Sequence, residues 1–238
     1  MANKYKRILL KISGEQLAGG ADHGVDTKTI NWLADEIKKV VDTGTQVVIV
    51  PGGGNWIRGA DFAGEGIELT TAHYLGMMAG IINGQVLMDI FQSHGLPARV
   101  MSSVRMEQIC EPYVRRKAIR HLEKGRVLLT TGGTGRAYVT HDSAAVLYSL
   151  ELECDVVLKA TDVAGVYDKD PNKYDDAEHY PEISTQEALE NPEIRVFDKS
   201  AMGMALEQGR DIIVYDVNKE DNLLKIVQGE DIGTIVRA

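Results

Sequence analysis

Four short apolar runs in this chain each lead into glycine, and that repetition constrains the fold more than any other feature. Lys6 to Ile12 leads into Ser13-Gly14, and Gln46 to Val50 into Pro51-Gly52-Gly53-Gly54-Asn55. Arg126 to Thr130 leads into Thr131-Gly132-Gly133-Thr134-Gly135, and Asp155 to Lys159 into Ala160 to Gly165. A run such as Gln-Val-Val-Ile-Val lacks polar alternation, as expected of a strand buried on both faces in a parallel sheet. Helical periodicity fills the gaps. Ile30, Leu33, Ala34, Ile37, Val40 and Val41 recur at helix spacing, with Asp26 or Thr27 as cap and Gly44 as stop. Further helices are predicted over 69–94, 112–124, 143–152, 198–208 and 218–227, with strands over 98–101 and 211–215 and an edge strand over 233–237. The β-α-β-α order predicts an α/β fold: a three-layer α/β/α sandwich with a mostly parallel central sheet. Residues 1–238 read as one domain, and the irregular stretch 168–192 as a surface excursion.

Charge and ends exclude several classes. With 26 Lys+Arg against 35 Asp+Glu, a net charge of −9 argues against a nucleic-acid surface, which needs basic groups to neutralise phosphates. No run approaches ~18 consecutive apolar residues, so no membrane partner is expected. The N-terminal apolar stretch Ile8-Leu9-Leu10 is too short for a signal core. Cys110 and Cys154 are distant and outside any CxxC pattern, which suits buried thiols in a reducing cytoplasm.

Ligands of open parallel sheets bind beyond the carboxyl ends of the strands. Glycine there lets backbone N–H groups approach an anion. Several such loops on one edge point to a polyanion, most simply a nucleotide. The GxxxxGK[ST] and GxGxxG fingerprints and the protein-kinase loop are absent, so the site must be of another design. Lys11 ends the first strand and Arg58 follows the triple glycine. Phosphoryl transfer needs cations and backbone donors around the moving group, and these two supply charge. Asp142, Asp170 and Asp198 would orient the cations or hold Mg2+ through water and phosphate oxygens, and each also suits a helix cap or turn.

The runs KRILLKISGE, VPGGGNWIRGA, HYLGMMAGIINGQ, EPYVRRKAIRHLEKGRVLL, GGTG with THDSAA, DVVLKATDVAGVYDKDP and GTIVR, in that order, resemble the bacterial-type UMP kinases of the amino-acid kinase superfamily. The resemblance spans nearly the whole chain. It implies direct in-line transfer of the γ-phosphoryl group of ATP to UMP, giving UDP for pyrimidine nucleotide biosynthesis, with Mg2+ accompanying ATP and no direct metal ligand from the protein. It further implies a cytoplasmic homohexamer activated by GTP and inhibited by UTP, with Gly19 to Gly24 matching a loop linked to GTP. Lys11, Arg58, Asp142 and Asp198 match catalytic positions. Lys11, Ile12, Ser13, Gly14, Gly54 and Arg58 match ATP phosphate contacts, and Thr161, Tyr167 and Asp170 match positions flanking the adenine and ribose. Gly53, His73, Thr134, Gly135, Arg136, Ala137, Tyr138, Val139, Thr140 and His141 match positions holding UMP.

The departures from the family pattern fall on the acceptor side. His73 stands where the family has an aspartate on the UMP ribose, His141 replaces a threonine facing UMP, and Arg136-Ala137 replaces Asn-Pro. If protonated, the histidines would join Arg136 in a pocket more basic than usual. Two rival readings remain: a kinase of this fold acting on another small phosphorylated acceptor, and a nucleotide-binding homologue without catalysis.

Overall fold

The computed structural model describes residues 3–57 and 66–238. The strands are Arg7–Ile12 (β1), Gln46–Pro51 (β2), Ala98–Ser102 (β3), Glu111–Pro112 (β4), Val127–Thr131 (β5), Val156–Thr161 (β6), Val166–Tyr167 (β7), His179–Tyr180 (β8), Glu182–Ser184 (β9), Ile212–Asp216 (β10) and Thr234–Arg237 (β11). The helices are Gly14–Leu17 (α1), Thr27–Asp42 (α2), Leu69–Ser93 (α3), Arg115–Glu123 (α4), His141–Glu151 (α5), Thr185–Glu190 (α6), Lys199–Glu207 (α7) and Asn222–Gln228 (α8). Nine strands form one sheet in the order β4-β3-β5-β2-β1-β6-β10-β11-β9, while β7 and β8 make a separate ribbon. Within that sheet only β10 and β11 pair antiparallel.

Side-chain alternation along β1 builds two cores. Ile8, Leu10 and Ile12 pack with Ile30, Leu33 and Ile37 of α2 and with Leu87 and Phe91 of α3. Leu9 turns to the opposite layer, with Val48, Val50 and Val157, against Ala144 and Ala145 of α5 and Ala201 and Ala205 of α7. Each fully buried Leu or Ile contributes about 1.5–3 kcal/mol. The alanines let α5 and α7 approach the sheet and each other closely. Helix starts follow capping chemistry: the Asp26 carboxylate accepts from the Lys28 and Thr29 N–H groups, and Gly44 ends α2 at φ +92°.

Four sequence expectations need correction. Pro112 lies in strand β4, not in a helix; β4 is an edge strand, where a missing N–H is tolerated, and α4 begins only at Arg115. Helix α5 begins at His141, capped by Thr140, so His141 and Asp142 sit in its first turn. Strand β11 is interior, because β9 pairs along its outer side. Residues 168–192 are therefore more than a surface excursion: they supply β9 and α6, and place Ile183 and Ala188 in the core.

Helix α3 is long and apolar enough by composition to cross a membrane, with a mean hydropathy of 1.3. Here it covers β2, β3 and β5 and buries Ala72, Met77, Ile81, Asn83, Leu87 and Phe91. A buried asparagine whose amide is fully used belongs to a packed core helix.

Candidate functional site

The connections from β1 lead to one half of the sheet and those from β6 to the other. The carboxyl ends of β1 and β6 therefore form a topological switch point, where open α/β sheets hold ligands. Lys11 stands there, and its Nζ lies 2.9 Å from Asp142 Oδ1 on α5. Across the ladder, Lys159 of β6 is the Cα partner of Lys11, so both side chains leave the same sheet face.

Ser13 caps the one-turn helix α1 through a reciprocal pair with Gln16, which carries Gly14 past the end of β1. A Cβ on Gly14 would meet the Gly54 backbone N at 2.5 Å and Asn55 Oδ1 at 2.4 Å. The loops after β1 and β2 thus touch backbone to backbone. Asn83 of α3 clamps them: its amide donates to the Gly52 carbonyl (2.7 Å) and to Asn55 Oδ1 (2.7 Å). Its oxygen accepts from Trp56 Nε1 (2.7 Å) and Asn55 Nδ2 (3.1 Å), and Asn55 Nδ2 also donates to the Gly24 carbonyl. Arg58 lies outside the described residues.

Two cavities open from this edge. One of about 530 Å³ is bordered by Glu15, Asp22, His23, Gly54, Trp56 and Asp162. The other, about 360 Å³, gathers Thr161, Tyr167 and Asp170, three positions matched to adenine and ribose. Thr161 Oγ1 reaches the Val163 and Tyr215 carbonyls and shapes the turn below. The Asn172 N–H and then Lys173 hold the Asp170 carboxyl below its usual range.

In the loop after β5, Gly132, Gly133 and Gly135 take φ of +75°, +55° and +74°. The Thr134 hydroxyl is buried without a partner among the described residues. Thr140 caps α5 and donates to the Asp198 carboxylate. Asp198 in turn caps α7, accepting from the Ser200 and Ala201 N–H groups at 2.8 and 3.1 Å, and it accepts from Ser143 Oγ. Asp198 is thus the tie between two helix N-termini, while Asp142 is the acid that meets a cation.

The two histidines of this stretch sit in different surroundings. Burial, and then Lys11, push the His141 imidazole down to about 4, so it is neutral at physiological pH. Its Nε2 is enclosed without a partner among the described residues, and a Cβ on Gly80 would lie 2.9 Å from it. His73 stacks on Tyr138 at 4.9 Å between centroids, and the Tyr138 hydroxyl bonds to Thr70 Oγ1 at 2.9 Å. Tyr138 itself sits at φ +67°, an uncommon conformation for a large side chain. Arg136 is exposed, and Ala137 and Val139 are half-buried. Gly53 packs under α3, where a Cβ would meet Ala79 Cβ at 2.6 Å and the Gly76 carbonyl at 2.7 Å.

Sequence reasoning missed Asn83, Gly80 and Lys159. A signal for Lys159 was present: Leu9-Leu10-Lys11 and Val157-Leu158-Lys159 end two apolar runs with the same pattern.

Residues 6–216 match the family described as the amino acid kinase family. The chain is 46% identical over 235 residues to the uridylate kinase of Dichelobacter nodosus, covering 99% of this chain and 97% of that protein. Its fold matches the crystal structure of UMP kinase from Bacillus anthracis with a TM-score of 0.94 at 32% identity, over 98% of this chain and 96% of that one. It matches the structure of UMP kinase from Ureaplasma parvum with a TM-score of 0.91 at 30% identity, over 99% and 100% of the two chains.

Proposed function

The chain belongs to the amino acid kinase family, and from that premise we infer that it transfers the γ-phosphoryl group of ATP to UMP, giving ADP and UDP for pyrimidine nucleotide biosynthesis. The observation that carries this reading is the Lys11–Asp142 pair at the switch point, beside the Pro51 to Asn55 loop that follows the neighbouring strand β2.

We assign ATP to the side formed by Ile12, Ser13, Gly14 and Gly54, with Thr161, Tyr167 and Asp170 around adenine and ribose. We assign UMP to Gly53, His73 and the stretch Thr134 to His141. Lys11 stabilises charge on the equatorial oxygens of the moving phosphoryl group, and Asp142 aims it. A phosphate acceptor is already ionised near neutral pH, its second pKa being about 6, so no general base is required. Arg58 keeps its assignment by resemblance alone.

Mg2+ fits this reading as a companion of ATP, neutralising charge on its phosphates. The donor set agrees: Asp142 is engaged by Lys11 and Asp198 by two helix caps, leaving neither carboxylate uncommitted. We read residues 1–238 as one domain, supported by a sheet that draws strands from almost the whole length, and a cytoplasmic location rests on resemblance. An exposed apolar stripe on α3, Tyr74, Met78 and Ile82, supports self-association, and the homohexamer rests on resemblance. GTP activation and UTP inhibition rest on resemblance.

The test is ADP release over a panel of UMP, CMP, dUMP, N-acetylglutamate and small phosphates. UMP is expected to give the highest kcat/KM. A different preferred acceptor would favour the alternative kinase reading, for which His73 and His141 in the pocket are the motive. ATP binding without turnover on any acceptor would overturn catalysis altogether.

A further inference from the structure

Lys159 is a buried lysine with no ion-pair partner among the described residues. It stands in β6, between buried Leu158 and Ala160. Its Nζ donates to the Val196 carbonyl and lies 5.3 Å from the centre of the Phe197 ring. It makes no ion pair among the described residues, although its ladder partner Lys11 has Asp142 at 2.9 Å. An ammonium carries three donors, and a single carbonyl uses one of them. Desolvation pushes Lys159 down to about 8, with Asp142 opposing and Lys11 reinforcing that shift. Burying an uncompensated cation costs stability, and such groups gather at sites where an anion arrives.

Its position names the anion. Lys11 and Lys159 are Cα partners on adjacent parallel strands, about 4.8 Å apart by strand spacing. They flank the switch point and leave the same face, toward the N-termini of α5 and α7. Asp142 lies close enough to influence both.

We propose that Lys159 is a second catalytic cation, which contacts the phosphates of ATP opposite Lys11 and stabilises the phosphoryl group in transit. The proposal rests on the ATP assignment above. The Val196 carbonyl holds the ammonium in place, and the polyanion takes up its remaining donors. The contact is electrostatic, and Lys159 neither gives nor takes a proton in the transfer. Val196 also lies two residues before Asp198, the tie between α5 and α7. Lys159 therefore joins the ATP edge of the sheet to the turn that fixes the acceptor-side helices.

The experiment has two arms. In the first, Lys159→Met and Lys159→Arg are compared with wild type on the acceptor that the wild type turns over best, and melting temperatures are taken on all three. Loss of a charge that acts in the transition state predicts a fall in kcat of about 100-fold for Met, with acceptor KM held within about threefold, and at least partial recovery with Arg. A Met variant that folds and keeps kcat within about threefold of wild type overturns the proposal. In the second arm, the 13Cε resonance of Lys159 is followed in the wild-type protein as a non-hydrolysable ATP analogue is added with Mg2+. A clear shift at saturation is expected, and an unmoved resonance in a protein that binds the analogue overturns the proposal. This arm needs no variant to fold and no acceptor. Failure of wild-type UMP turnover strikes the functional reading instead, and the resonance still decides Lys159.

Discussion

The loops Pro51 to Asn55 and Thr131 to Gly135 carry three glycines each, and they need them for different reasons. None of Gly52, Gly53 and Gly54 takes a positive φ, whereas Gly132, Gly133 and Gly135 all do. The first loop uses glycine for room: Gly53 sits under α3 with no space for a methyl group. The second uses it for conformation at all three positions, most purely at Gly133, where a Cβ would meet nothing nearer than Met77 Cγ at 3.8 Å, yet the backbone is left-handed at φ +55°; Gly132 also lacks room, with Ser102 Oγ at 2.8 Å. The chemistry divides along the same line. The edge we assign to ATP is charged, with Lys11, Asp142 and Lys159. The edge we assign to the acceptor has His141 uncharged, His73 stacked on Tyr138 and one exposed cation, Arg136. The same residue type marks two designs: one lets a loop pack closely under a helix, the other turns the chain through left-handed backbone.

Four substitutions test this division. The largest effect belongs to the charged edge. Lys11→Met is expected to lower kcat about 10³-fold while the fold persists, read by coupled ADP release beside circular dichroism. Turnover within about tenfold of wild type would mean that Lys11 serves only its ion pair. Next, Gly53→Ala should cost about 3 kcal/mol in urea unfolding, because the fixed Ala79 Cβ and the α3 backbone, and not a mobile side-chain end, occupy the space. A loss no larger than that of Gly133→Ala would erase the distinction between room and conformation.

Third comes the neutral histidine. Folded His141 titrates near 4 against 6.5 as the ordinary value, so between those pH values the unfolded chain binds a proton that the folded chain refuses. Its contribution is complete above about pH 6.5 and is lost as pH falls toward 4. Between pH 7 and pH 5 the loss is about 2 kcal/mol. Melting of wild type and His141→Thr at both pH values checks this: the gap should narrow in the variant, and an equal gap would place a charged His141 in the folded protein. The smallest effect is Gly133→Ala, about 1 kcal/mol in thermal unfolding, the cost of forcing a side chain into the left-handed region. A silent substitution would show that the loop relaxes easily.

Much of the fold was legible because periodicity and capping are local. Asp26 and Asp198 cap helices as their positions suggested, and the long apolar helix runs from Leu69 to Ser93. The misses were short or non-local. Pro112 lies in a two-residue strand that exists only because Ser102 is beside it, and β9 exists because β11 needed an outer neighbour. Within the site, the glycines and Lys11 announced themselves by their place after apolar runs. Asn83 did not, because a single amide in an apolar helix has no meaning until Asn55, Trp56 and Gly52 arrive around it.

By itself the sequence determined the layer order, the loops facing the ligand edge and the cation at the head of β1, since each follows from residue spacing along one segment. Only the tertiary structure decided the charge state of His141 and the pairing of Lys159 with Lys11. Protonation depends on how much water the packed layers exclude, and ladder register depends on which strands lie side by side.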